Sequence, residues 1–181
     1  GRRDRRRRDP PDRCRPGAEV VPVTFALIAV PQADGLSAPL ARLLPVVFSE
    51  PHVGWTTARV FGEPLERALA SSASVVIAVV GGNDDPLSSS GFLAGVDKAR
   101  RAGKRLIVVG PVFALTDDAA RHDRARTALT VSAQRAGVPF VDAYPLTRDL
   151  ARPTNVHLGD RYPQYAARLA TALAPRAGWV A

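Results

Sequence analysis

The sequence predicts a three-layer α/β/α sandwich built on a five-stranded parallel sheet, and three observations carry that reading. Apolar runs rich in Val and Ile recur along the chain without the in-and-out alternation of strands that face water on one side. Stretches with helical spacing separate those runs, the β-α repetition that parallel sheets require. The length of 181 residues suits one domain able to bury its own core, and 46% hydrophobic against 23% charged residues excludes wholesale disorder.

Taken in order, residues 1–17 (GRRDRRRRDPPDRCRPG) contain no Leu, Ile, Val or Phe and are expected to form a disordered Arg-rich tail, leaving 18–181 as the globular domain. The first apolar run, Val20 to Val30, is the first strand. A secretory signal is its rival, because an Arg-rich segment precedes a short apolar stretch. The rest of the chain needs a first strand, so the strand reading and a cytoplasmic location are favoured over secretion. Val46–Phe48, Val75–Val80, Leu106–Val109 and Val138–Val141 are the other strands. A helix is expected over Leu36–Leu44, and another over Thr57–Ala70, interrupted by Gly62 and Pro64. Phe92–Ala102 follows the N-cap candidates Ser88–Ser90 and stops at Gly103, while Asp117–Ala136 follows Thr116 and stops at Gly137. The last helix aligns Tyr162, Tyr165, Ala166, Leu169, Ala170 and Leu173 on one apolar face.

The formal charge of +8 is concentrated at one end. Residues 1–15 hold eight Arg and three Asp; the other 166 residues carry 17 Lys+Arg against 14 Asp+Glu. The body is close to neutral, so no nucleic-acid partner is expected beyond nonspecific attraction to the tail. No base-reading or stacking side chains are interleaved there. The single Cys14 excludes a disulfide framework and a Cys-based zinc site. The apolar run at Val20 to Val30 is too short to span a membrane.

In a sheet of this kind the site forms beyond the carboxyl ends of the strands, which directs attention to Pro31–Ser37, Ser49–Thr57, Gly81–Ser90, Pro111–Thr116 and Leu146–Asp160. Three motifs lie there: Val53-Gly54-Trp55-Thr56-Thr57 after the second run, Gly81-Gly82-Asn83-Asp84 after the third, and Asn155-Val156-His157-Leu158 before the last helix. Singly, each has an ordinary explanation as a turn, a cap or an inert histidine. In this order and spacing the chain resembles the SGNH (GDSL) hydrolase family, from about Val20 to Ala174. The resemblance implies a flavodoxin-like SGNH fold and hydrolysis of small-molecule esters or acylated carbohydrates, with no metal and no organic cofactor. In that chemistry a Ser at the end of the first strand attacks the ester carbonyl, and a His takes its proton and returns it to the leaving alcohol. The resemblance assigns His157 as that base and the Gly54 N–H and Asn83 side chain as oxyanion donors. Asp84 becomes a residue that fixes the loop, or equally a cap or turn residue.

The first motif departs from the family pattern. Without gaps, Pro31 takes the nucleophile's place; matching Ala33-Asp34-Gly35-Leu36-Ser37 to a G-D-S-L-S pattern puts Gly35 there, and neither has a hydroxyl. Ser37 is the nearest hydroxyl, and its expected role is N-cap of the following helix. Asp34 is a poor substitute, because a carboxylate attacking an ester gives an anhydride. Thr154 stands where the family carries the Asp that orients the His. Asp149 and Asp160 lie nearby without matching that position. His52 is expected to line the pocket and His122 to be solvated on a polar helix face. Three explanations compete for the absent nucleophile: an inactive relative that keeps the pocket as a binding module for an ester or glycan, an enzyme using a nearby group, and a frame change upstream of about residue 34.

Overall fold

The computed structural model describes residues 22–29, 35–87, 89–116, 119–153, 155 and 157–178. The Arg-rich segment 1–17, Pro31, Asp34 and Thr154 therefore lie outside the described residues. Five strands, β1 (Phe25–Ala29), β2 (Val46–Pro51), β3 (Val75–Val79), β4 (Arg105–Val109) and β5 (Phe140–Val141), form one sheet in the order β2-β1-β3-β4-β5. Every pairing is parallel. The helices are α1 (Ser37–Ala41), α2 (Thr57–Val60), α3 (Glu63–Ala70), α4 (Ser89–Arg101), α5 (Ala119–Arg135), α6 (Tyr144–Thr147) and α7 (Tyr162–Ala177). This is the α/β sandwich with a five-stranded parallel sheet that the apolar runs anticipate.

The interior strands are apolar on both faces because both faces are covered. Phe25, Leu27, Ala29, Val75, Ile77 and Val79 point into a core shared with Leu36 and Leu40 of the α1 segment and with Tyr165, Leu169 and Leu173 of α7. Ala26, Ile28, Val76 and Ala78 point the other way, against Val60, Leu65, Phe92, Val96, Leu129 and Ala133 of α2 to α5. β2 sits at the sheet edge, and there alternate residues are exposed. All six apolar positions expected on the last helix are buried.

Local chemistry sets the helix boundaries. Gly62 and Pro64 split the expected Thr57–Ala70 stretch into α2 and α3. Gly103 and Gly137 follow α4 and α5 with φ of 65° and 61°, a conformation open to a residue without Cβ. Two expectations are corrected. The residue before α1 is Leu36, which makes no side-chain cap, so Ser37 is the first helical residue and not an N-cap. His122 is fully buried, its Nδ1 3.0 Å from the Val112 carbonyl, and is not solvated. The helix turns its polar face elsewhere: Ala125, Leu129 and Ala133, at +3, +7 and +11 from His122, are buried with it.

The pairing register levels the strand ends. Pro51, Ala29, Val79, Val109 and Val141 form one row across the sheet, and the segments that follow them meet at that pole.

Candidate active site

Beyond β2 the chain turns at Gly54, whose φ of 75° belongs to the left-handed region, while the space around its Cβ position is open. Conformation, not crowding, calls for glycine there. The same turn is clamped from β3. Asn83 Nδ2 donates to the Trp55 carbonyl at 3.1 Å. Asp84 Oδ1 accepts the Thr57 N–H at 3.0 Å, and Asp84 Oδ2 accepts the Thr57 hydroxyl. Thr57 opens α2, so the Asp84 carboxylate serves that helix start from across the sheet. Both residues are buried. Burial raises the Asp84 pKa above the ordinary carboxylate value, against the opposing effect of the two Thr57 hydrogen bonds.

Trp55 is held on both faces. The His52 ring stacks on it with centroids 3.8 Å apart, and the Arg59 guanidinium lies 3.9 Å from the Trp55 centroid. Two groups that close to one centroid must occupy opposite faces of the ring. His52 also reaches Glu50 Oε1 through Nε2 at 2.6 Å. Glu50 is further paired with Arg67, whose hydrogen bonds hold its pKa below the usual carboxylate value. The turn carrying Gly54 is thus fixed by Asn83, Asp84 and a stacked Trp55, and Gly54 and Asn83 are brought to one place.

His157 belongs to a second group. Its N–H donates to Asn155 Oδ1 at 2.8 Å, a local turn built by the Asn two residues before it. Its Nδ1 lies 3.5 Å from the Tyr162 hydroxyl. The Tyr162 ring fills the space beside Gly35, where an added Cβ would stand 2.1 Å from Cδ2. His157 therefore sits by the turn between β1 and α1. No hydrogen bond or ring contact among the described residues joins it to the Asn83 group. Helical spacing marks Tyr162 only as a core position; its place five residues after the His is the available signal of a second role.

The remaining candidates have other partners. The Ser49 hydroxyl donates to Ser37 Oγ at 3.2 Å, across to β2. Asp149 binds Arg168 at 2.5 and 2.8 Å, which lowers its pKa to about 2, and Asp160 binds Arg152. His52 faces the stacked Trp55. Beyond β4 and β5, Phe113 and Tyr144 meet edge-on at 5.3 Å and wall a cavity of about 470 Å³ that also touches Leu115 and Ala119. Burial pushes the Tyr144 pKa up to about 12. Among the described residues no helix is long and apolar enough to cross a membrane.

No protein-family model matches the chain, and no curated protein matches its sequence. Solved structures do match its fold. A GDSL-like lipase from Bacteroides thetaiotaomicron superposes with a TM-score of 0.65 at 13% identity, over 84% of this chain and 88% of that one. A lipase/acylhydrolase from Enterococcus faecalis gives 0.61 at 15% identity, over 85% and 96%. A catalytic mutant of an acetylxylan esterase from Geobacillus stearothermophilus gives 0.66 at 15% identity, over 88% and 97%. The chain has the fold of GDSL-type lipases, acylhydrolases and acetylxylan esterases.

Proposed function

We propose that the protein is an SGNH/GDSL-type ester hydrolase-like domain that binds and polarises a small ester or an acylated carbohydrate at the carboxyl ends of β1, β2 and β3. The observation that carries this reading is the clamp of Asn83 and Asp84 on Trp55 and Thr57, which fixes the turn carrying Gly54 against the Asn83 loop. Asn83 spends one N–H on the Trp55 carbonyl and keeps a second. With the Gly54 N–H and the remaining Asn83 N–H in the roles of oxyanion donors, such a fixed turn would need no reorganisation as charge builds on the carbonyl oxygen. With Nδ1–H given to the Tyr162 oxygen, His157 presents Nε2 as the base. The cavity beside Phe113 and Tyr144 opens at the same pole and has room for an acyl or sugar group.

The second reading is a non-catalytic module that binds such a ligand in the same pocket. It is favoured by the first motif, where residues 30–36 contain no hydroxyl or thiol and the nearest hydroxyl, Ser37, is engaged by Ser49. Turnover is accordingly expected to be weak or absent. Hydrolysis of p-nitrophenyl acetate by the wild-type chain, abolished in His157→Ala, establishes the enzyme. Saturable binding of acetylated xylo-oligosaccharides that Asn83→Ala weakens, with no product formed, establishes the module. Neither turnover nor binding would sink both.

A further inference from the structure

The near-neutral charge of the body conceals a polarity that the topology creates. Parallel strands and returning helices put the amino ends of all strands, and the carboxyl ends of α4, α5 and α7, at the pole opposite the candidate site. Arg100, Arg101, Lys104, Arg105, Arg135 and Arg176 stand there, with Arg42 at the β2 corner. All are exposed except Lys104, which is half-buried. Asp97, 3.6 Å from Arg100, is the carboxylate that accompanies them among the described residues, since Glu66 is taken by Lys98 at 2.5 Å.

Three of these cations already serve the fold. Arg100 donates to the Ala136 carbonyl, Arg105 to that of Arg176 at 3.0 Å, and Lys104 to those of Ser71 and Ala73 at 3.2 and 2.6 Å. They satisfy the orphan carbonyls at or just past the ends of neighbouring helices. Carbonyls carry no formal charge, so apart from Asp97 beside Arg100 the positive charge stays uncompensated among the described residues. A cavity of about 250 Å³ opens between the end of α4, the start of β4 and the turn at Gly137, and its charged lining is Arg100, Lys104 and Arg105, without a carboxylate.

We propose that this pole is a docking surface for the phosphodiester backbone of nucleic acid, bound without selection of bases, with a phosphate seated between Arg100, Lys104 and Arg105. Guanidinium forks match phosphate oxygens in geometry as well as charge. Five strands at about 4.8 Å spacing give a face some 19 Å wide, over which duplex DNA presents roughly a dozen phosphates. Among the described residues no exposed aromatic side chain stands at this pole, so none of them offers a ring to stack on a base. A membrane fits less well. Insertion needs a contiguous apolar face among the cations, and the exposed apolar side chains near them are scattered: Leu43 and Val47 with Arg42 at the β2 corner, about 14 Å across the sheet from Lys104, and Val131 one turn before Arg135. The surface lies away from the candidate ester site, and its existence does not depend on that assignment.

The test is fluorescence anisotropy of a labelled duplex of about 20 base pairs against the full chain between 50 and 200 mM salt. Arg42, Arg101 and Arg135 have no side-chain hydrogen bond among the described residues, so reversing them to Glu removes charge without removing a cap. Arg42→Glu/Arg101→Glu/Arg135→Glu is expected to weaken binding by about tenfold or more and to flatten the log–log salt slope by roughly 2 to 3. The same loss is expected in a full-length background whose eight Arg in residues 1–15 are replaced by Gln. The opposite-pole variant Arg59→Glu/Arg124→Glu/Arg148→Glu, matched in net charge, is expected to change affinity by less than about threefold. Equal losses from the two triple variants, loss only on removal of the Arg of residues 1–15, or tighter binding to phosphatidylserine vesicles than to the duplex would each overturn the proposal.

Discussion

A Cβ added at Gly35 would stand 2.1 Å from Cδ2 of Tyr162, so the turn before α1 and the first residue of α7 meet with no room for a side chain between them. The contact joins the first motif to the His157 loop, because the hydroxyl of the same Tyr162 lies 3.5 Å from His157 Nδ1. The φ of Gly35 is not in the positive region, so the demand for glycine is one of space.

Gly35→Ala is therefore expected to destabilise the fold by about 1–3 kcal/mol through overpacking against the Tyr162 ring. Urea denaturation would show a lower midpoint at unchanged m-value. In a Tyr162→Leu background, which narrows the obstacle, the same substitution should cost less. Equal costs in the two backgrounds would mean that the ring is not what Gly35 accommodates.

Asp84 tests the clamp and gives it a pH dependence. Its folded-state pKa is raised by burial, so ionisation is harder in the folded chain than in the unfolded one. Its contribution to stability therefore grows as pH falls through the folded pKa, and the penalty of the charge is complete above it. Asp84→Asn keeps an acceptor for the Thr57 N–H and can donate to the Thr57 hydroxyl, with no charge to bury. The stability of Asp84→Asn relative to wild type should be better at pH 7 than at pH 4, other carboxylates cancelling in the difference. Asp84→Ala strands both Thr57 donors and should cost about 1–3 kcal/mol. A wild-type advantage that instead widens from pH 4 to pH 7 would reverse the sign and refute the burial argument.

Much of this architecture was legible in the residues, for physical reasons that also explain what was not. Continuous Val and Ile runs report strands covered on both sides, so β1, β3 and β4 were plain, and the Tyr162-to-Leu173 stripe reported one buried helix face. His122 has polar neighbours in sequence, which point to a solvated face, whereas its partners at helical spacing, Ala125, Leu129 and Ala133, are all buried. Ser37 looked like a cap by residue type, but Leu36 already has helical dihedrals (φ −88°, ψ −33°), leaving Ser37 inside the helix. Gly54 and Asn83 could be named as separate motifs. That Asn83 Nδ2 grips the carbonyl of Trp55, 28 residues earlier in the chain, depends on how the segments beyond β2 and β3 converge, which no local pattern encodes.

Tyr165 offers a contrasting buried polar group. Its side chain is fully buried in the core beside α7, and its hydroxyl has no hydrogen-bond partner among the described residues. Burial raises its pKa, so the phenol stays neutral throughout the working range. An unsatisfied buried hydroxyl is a cost, and removing it restores nothing to water. Tyr165→Phe is expected to be neutral or stabilising by up to about 1 kcal/mol in thermal or urea unfolding. A loss beyond about 1 kcal/mol would reveal a hydrogen bond to this hydroxyl that the fold requires.

Tyr162→Phe separates a positioning role from packing. The ring that fills the space beside Gly35 is kept, while the hydroxyl facing His157 Nδ1 is lost. If that oxygen accepts the Nδ1 proton, it holds the imidazole in the tautomer whose Nε2 is free to act as a base, the orienting role that a carboxylate has in a Ser-His-Asp triad. Imidazole nitrogen chemical shifts would then show His157 moving toward the Nε2–H tautomer in Tyr162→Phe, at nearly unchanged unfolding midpoint. Any ester turnover should fall by about two- to tenfold in kcat with little change in KM, the worth of one modest hydrogen bond. A tautomer ratio that ignores the substitution would mean that the 3.5 Å approach is only proximity. The His157 ring would then have to be oriented from elsewhere, and the pairing of Tyr162 with His157 would drop out of the proposed chemistry.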